Sequence, residues 1–150
     1  MKTLLLPLLL SFTFMACGQN KKAAELTSTE KNNTQTINKK TETMDLSKIS
    51  NETVRKAIEA LGNNDLAAWN AFFTDDVVFT DDGNKLDLKS FFENAFKHKE
   101  KFLSIDKVEN DGKDITGNFF AGQWGTFRVF FKFHQQADGK FNRLDIGQAK

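Results

Sequence analysis

The sequence has 150 residues, 21 basic and 20 acidic, for a net charge of +1 at neutral pH. From Asp45 onward there are 15 basic and 17 acidic residues with no basic block, which argues against nucleic-acid binding. The single cysteine, Cys17, excludes an internal disulfide, and two distant histidines, His98 and His134, lack the clustering that a metal site needs.

In chain order, residues 1–16 read as a secretion signal. Lys2 supplies a positive start, and Leu4 to Leu10 is apolar apart from Pro7. The apolar character continues through Phe12, Phe14 and Met15, but Ser11 and Thr13 interrupt it, so the run is too short and too broken to span a bilayer. It ends in Phe14-Met15-Ala16-Cys17-Gly18, which resembles the lipobox of bacterial lipoproteins, although Phe14 stands where Leu is usual. That resemblance implies lipidation of Cys17, cleavage before it, and a membrane partner reached through the lipid. Gly18 in place of Asp implies an outer-membrane anchor with the domain facing the periplasm. The alternative is an ordinary signal followed by a chance cysteine. Once Cys17 is acylated no thiol remains, so the fold must rest on its core even in an oxidising compartment.

Residues 17–44 hold this cysteine and then a polar stretch. Residues 18–44 are rich in Lys, Asn and Thr, with only Ala23, Ala24, Leu26, Ile37 and Met44 as apolar members. Such a segment buries too little surface to offset its ordering entropy, which predicts a tether. As a coil it would span about 30 Å.

Residues 45–150 suit one domain. Ser50 or Asn51 caps a predicted helix with Val54, Ala57, Ile58 and Leu61 on one face, stopped by Gly62. Asn64 is expected to cap a second helix carrying Leu66, Trp69 and Phe73. A short strand follows over residues 76–80, turned by Asp81-Asp82-Gly83-Asn84. Asp87 caps a third helix, whose Leu88, Phe91, Phe92, Ala95 and Phe96 recur at i, i+3, i+4, i+7 and i+8. Residues 103–109, 114–122, 124–134 and 141–147 then read as strands, with turn signals at Asn110-Asp111-Gly112 and Asp138-Gly139. The order predicts an α+β fold, with helices on one face of a curved antiparallel sheet.

Three segments resemble the nuclear transport factor 2-like superfamily, and within it the SnoaL-like branch of cystatin-like architecture. They are Asn63-Asn64-Asp65-Leu66-Ala67-Ala68-Trp69, Phe72-Phe73-Thr74-Asp75-Asp76-Val77-Val78-Phe79 and Ala137-Asp138-Gly139-Lys140-Phe141. The resemblance implies a cone-shaped sheet closed by three helices around a pocket. Its members include steroid isomerases, polyketide cyclases, dehydratases and binding or dimerising domains, so fold alone does not choose an activity.

Two carboxylates are candidates for chemistry. The resemblance to the isomerases puts Asp81 at the position of their general base, where burial would raise its pKa. Their oxyanion-donating Tyr has no counterpart, because the chain contains no Tyr, and Asp82 stands where their Pro would be. The alternative for Asp81 is plain turn chemistry. Related cyclases imply a pocket role for Asp145, but alternation puts Leu144 and Ile146 inward instead, leaving Asp145 for an ion pair with Arg143 or Arg128. Alternation likewise turns Phe127, Val129, Phe131 and Phe133 inward and His134 outward. His98 belongs to the solvated end of the third helix.

The 16 Phe and two Trp carry no hydroxyl, which favours apolar contents. Trp69, Phe73, Phe79, Phe92, Phe96, Phe127 and Phe131 are the expected core and pocket lining. Trp124 and Phe130 are expected on the other sheet face, as a homodimer surface. No cofactor is implied. Three readings remain open: a non-catalytic domain binding a small apolar ligand, an acid–base enzyme using Asp81 or Asp145, and a dimerising or partner-binding module with a filled core.

Overall fold

A computed structural model describes residues 44–150. The expected signal segment, Cys17 and the tether up to residue 43 lie outside the described residues. Helix α1 (Glu52–Gly62) begins where the Asn51 side chain accepts the Val54 N–H at 3.0 Å, and it buries Val54, Ala57, Ile58 and Leu61. Helix α2 (Leu66–Ala71) is capped by Asp65, not Asn64. The Asp65 carboxylate accepts the Ala68 N–H at 2.9 Å, and an acid suits the positive end of a helix. Asn64 instead takes the left-handed turn, at φ 60°, which its short polar side chain tolerates.

Phe73 does not extend α2. It opens strand β1 (Phe73–Asp81), because sheet pairing claims the backbone there: Phe141 N–H donates to the Phe72 carbonyl at 2.8 Å, and Phe73 pairs with Phe141. Strand β1 is therefore longer than its β-branched centre predicts. Asp82 and Gly83 turn it at φ 46° and 83° into β2 (Asn84–Leu86), the doubly left-handed geometry of a tight hairpin. Helix α3 (Leu88–Lys97) follows, with the Asp87 carboxylate accepting the Ser90 N–H at 2.7 Å.

The remaining strands are β3 (Lys101–Glu109), β4 (Asp114–Phe120), β5 (Thr126–Gln135) and β6 (Phe141–Gln148). The sheet order is β2-β1-β6-β5-β4-β3. The fold is the expected α+β arrangement, but the sheet is not wholly antiparallel, since β1 and β6 run parallel. A parallel neighbour needs a long crossover, and α3 with the β3–β5 meander supplies it. Residues 121–125 leave the sheet for a 3-10 turn, Gly122–Trp124, flanked by positive-φ Gly122 and Gly125. Trp124 is thus not on a strand, contrary to the sequence expectation.

Two irregularities bend the β3–β4 ladder. Leu103 and Asp106 are extra residues between successive pairs, and each such bulge adds local twist. The inner face of the curved sheet meets the helices through Trp69, Phe79, Phe92, Phe131, Phe133 and Phe141, all at most 2 % exposed. Met44, at the edge of the expected tether, and Leu46 pack against this core. Among the described residues no helix is long and apolar enough to cross a membrane.

Candidate functional site

The core is not filled from end to end. Beside α3, where β1 and β6 finish and β5 begins, a cavity of about 150 Å³ remains. Its walls are Phe91, Phe92 and Ala95 of α3, Phe119 of β4, Phe127, Val129 and Phe131 of β5, and Ile146 of β6. It opens into a mouth of about 360 Å³ lined also by Asn94 and Trp124. Strand alternation explains the β5 contribution, because every second side chain from Phe127 meets the concave face.

Polar groups gather at the open side. Asp81 ends β1, and Glu100 follows the C-terminal turn of α3, where its N–H donates to the Ala95 carbonyl at 3.0 Å. Burial pushes the Asp81 carboxyl above the usual carboxylate range, and the neighbouring Asp82 charge adds to this. Burial also raises Glu100, against the opposing influence of His98. Among the described residues neither carboxylate accepts a hydrogen bond. Asp82 is engaged differently: its Oδ1 accepts the Gln148 N–H at 2.9 Å and so ties the hairpin turn to the end of β6. Gly147 makes this approach possible, since a Cβ there would run into Asp82 Oδ1 and lie 2.9 Å from Phe130 Cζ.

The expected lining residues divide. Phe92, Phe127 and Phe131 surround the cavity, whereas Trp69, Phe79 and Phe96 pack in the core away from it. Phe73 also belongs to the core and borders a separate cleft with Asn70, Thr74 and Lys89. Trp124, 72 % exposed, stands at the mouth. Phe130 lies on the outer sheet face, 5.2 Å under the Lys132 ammonium, so the two aromatics expected to share one surface occupy different parts of the fold.

Asp145 faces away from the cavity, on the side opposite Leu144 and Ile146. Thr80 Oγ1 donates to its Oδ1 at 2.6 Å, Arg143 Nε donates at 2.8 Å to Oδ2, and His134 Nε2 lies 2.9 Å from Oδ2. Burial by itself would raise this carboxyl, but the bonds from Arg143, Thr80 and His134 outweigh it and hold the pKa at about 2. A depressed acid contributes stability that is complete above its unfolded pKa and lost as pH falls through the folded one. The stability gap between the parent and Asp145→Asn should therefore be widest near neutral pH and close as pH falls from about 4 to about 2. Urea unfolding of both proteins across that range measures it, and a gap that does not change with pH would contradict this account.

Glu100 and Gln148 are lining residues that the sequence does not single out, and Phe91, expected on the buried stripe of the third helix, is a further wall of the cavity. Gln148 was legible in principle, because it continues the inward alternation of Leu144 and Ile146. Glu100 was not, since it follows the Lys97-His98-Lys99 run and reads as part of a solvated helix end. Among the described residues no group of three or more acidic, His or Cys side chains is arranged to hold a metal ion.

No family model matches the sequence, and no curated protein matches it. Solved structures do resemble the fold. An NTF2-like protein of unknown function from Cytophaga hutchinsonii aligns at 16% identity over 67% of this chain and 89% of its own, with a TM-score of 0.54. An uncharacterized cystatin fold protein from Novosphingobium aromaticivorans aligns at 18% identity over 65% of this chain and 96% of its own, also at 0.54. A proposed ketosteroid isomerase from Kribbella flavida aligns at 12% identity over 69% of this chain and 79% of its own, at 0.52. At such identities the likeness establishes the NTF2-like, cystatin-type fold and leaves activity to the site itself.

Proposed function

We propose that the domain binds a small, largely apolar molecule in the cavity beside α3. The observation that carries this reading is the wall, in which seven large apolar side chains, with Ala95 and Ala121, line about 150 Å³ that is open on its acidic side. A space of about that size accepts a benzene-sized guest. The wider mouth leaves room for a polar substituent. Titration with indole, followed by calorimetry, tests the reading beside Val129→Phe, which sends a ring into the guest's space. The variant should bind at least about ten-fold more weakly. Indole binding that Val129→Phe leaves intact would overturn the proposal, as would no saturable binding to the parent.

The burial of Asp81 at the same cavity supports a second reading, in which its carboxylate moves a proton on the bound molecule. The fold's occurrence in a proposed ketosteroid isomerase is consistent with this. The chain's lack of Tyr weighs against it, since a developing oxyanion would depend on Gln148 or a protonated Glu100 for its donor.

The lipobox-like Phe14-Met15-Ala16-Cys17-Gly18 supports anchorage of the domain in a bacterial envelope through an acylated Cys17, with the outer membrane facing the periplasm as its address. Intact-mass measurement of protein from the membrane fraction should find a lipid on an N-terminal Cys17. Recovery of an unlipidated chain in the membrane-free fraction would remove the anchor from the proposal.

A further inference from the structure

We infer that the guest of this cavity is an amine, a compact aromatic or branched alkyl group carrying an ammonium at the mouth. The inference rests on the apolar-guest reading above and adds the headgroup. Its first support is the charge of the lining. Asp81 and Glu100 border both the inner space and the mouth, and Asp82 borders the inner space. Among the described residues no Lys, Arg or His lines either one. An anionic guest would therefore meet like charge, with no cationic side chain among the described lining residues.

The second support is that, among the described residues, the Asp81 and Glu100 carboxylates have no hydrogen-bond partner, whereas Asp82 has one. Asp82 accepts the Gln148 N–H, whereas Asp81 and Glu100 are half-buried carboxylates with no hydrogen bond to lower their cost. An ammonium offers three donors and a positive charge, and charge-assisted bonds are about twice as strong as neutral ones. A metal ion is a poorer match, because among the described residues these carboxylates do not form a coordinating group. The third support is aromatic. Phe91, Phe127 and Trp124 line the mouth, and their ring faces attract a cation placed over them. Trp124 is far more exposed than a side chain of its size ordinarily is, and an organic cation at the mouth gives that ring a partner.

Three probes of one skeleton and nearly equal size separate the headgroup from the apolar body: phenethylamine, phenethyl alcohol and phenylacetate. Each is titrated calorimetrically into the full-length protein at neutral pH. The amine should bind at least about ten-fold more tightly than the alcohol, and phenylacetate should show no saturable binding. Equal affinity for all three, or a preference for phenylacetate, overturns the amine while leaving the apolar-guest reading in place. Binding of none overturns both. In the double variant Asp81→Asn/Glu100→Gln, checked for folding by its thermal melt, the amine's advantage over the alcohol should fall to about two-fold or less. An advantage that persists there overturns the assignment to these carboxylates. Should that variant fail to fold, the order of the three affinities in the parent decides the question.

Discussion

Phe92→Ala is expected to destabilise the domain by about 3–5 kcal/mol. Phe92 lies at the centre of the buried face of α3 and is wholly inaccessible to solvent. Its ring centroid stands 4.5 Å from that of Trp69, 5.3 Å from Phe91, 5.6 Å from Phe79 and 6.4 Å from Phe131. Truncation removes the apolar transfer energy of the ring, its edge and tilted contacts with four neighbours, and leaves a void that the sheet and α2 cannot both close. Small domains are stable by about 5–15 kcal/mol, and this one has no disulfide to limit its unfolded state, so a large part of its stability rests on one side chain. Phe127→Ala is the contrast. Phe127 is 37 % exposed at the cavity mouth, and its loss should cost about 1 kcal/mol or less. Equilibrium urea unfolding compares the two. Similar losses for both would mean that the aromatic cluster is not what holds α3 to the sheet.

The positions of Phe92 and Phe127 also show how much could be read before the structure. The i, i+3, i+4 spacing of α3 and the alternation along β5 assign each ring to its face correctly, because those periods are properties of the backbone itself. Alternation also sends Asp145 outward, into the ion pair with Arg143 that it forms. What was not legible depends on competition between distant segments. Phe73 fits a helical register after Trp69, and only pairing with Phe141, far along the chain, turns it into the start of β1. The same applies to β6, whose parallel place beside β1 leaves no local trace. Trp124 leaves the sheet for a different reason: Gly122 and Gly125 signal an irregularity in the sequence, but a bulge and a 3-10 turn carry the same signal. The acidic side of the cavity is not legible in the sequence, because Glu100 is solvated by every local criterion, and it is the 3-10 turn after β4 that comes beside its carboxylate, with a Cβ at Gly122 placed 3.2 Å from Glu100 Oε1.

The second large effect is expected at a residue with no side chain. Gly117 sits on the concave face of β4, paired with Val129 on one side and Ile105 on the other. A Cβ there would run into the carbonyl oxygen of Ser104 and lie 2.9 Å from its carbonyl carbon and 3.1 Å from Ile105 Cα. The obstacle is backbone, so no rotamer change relieves it, and β3 must move. Gly117→Ala should therefore cost about 3 kcal/mol, the upper end of ordinary overpacking. Gly62→Ala, where nothing lies within 4 Å and the backbone is helical, should instead be neutral or stabilise by up to about 1 kcal/mol. Thermal and urea melts of the pair measure the difference, and a Gly117→Ala protein as stable as the parent would refute the crowding argument. Function enters through the curvature. The close approach of β3 lies between the two bulges that bend the β3–β4 ladder, and Phe119, two residues further along β4, is a wall of the cavity. Whatever pushes β3 outward at Ser104 flattens the sheet where the cavity forms. Indole affinity should accordingly fall in Gly117→Ala under conditions where the variant remains folded, and stay unchanged in Gly62→Ala, because the space for a guest is made by the bend rather than by any one lining side chain.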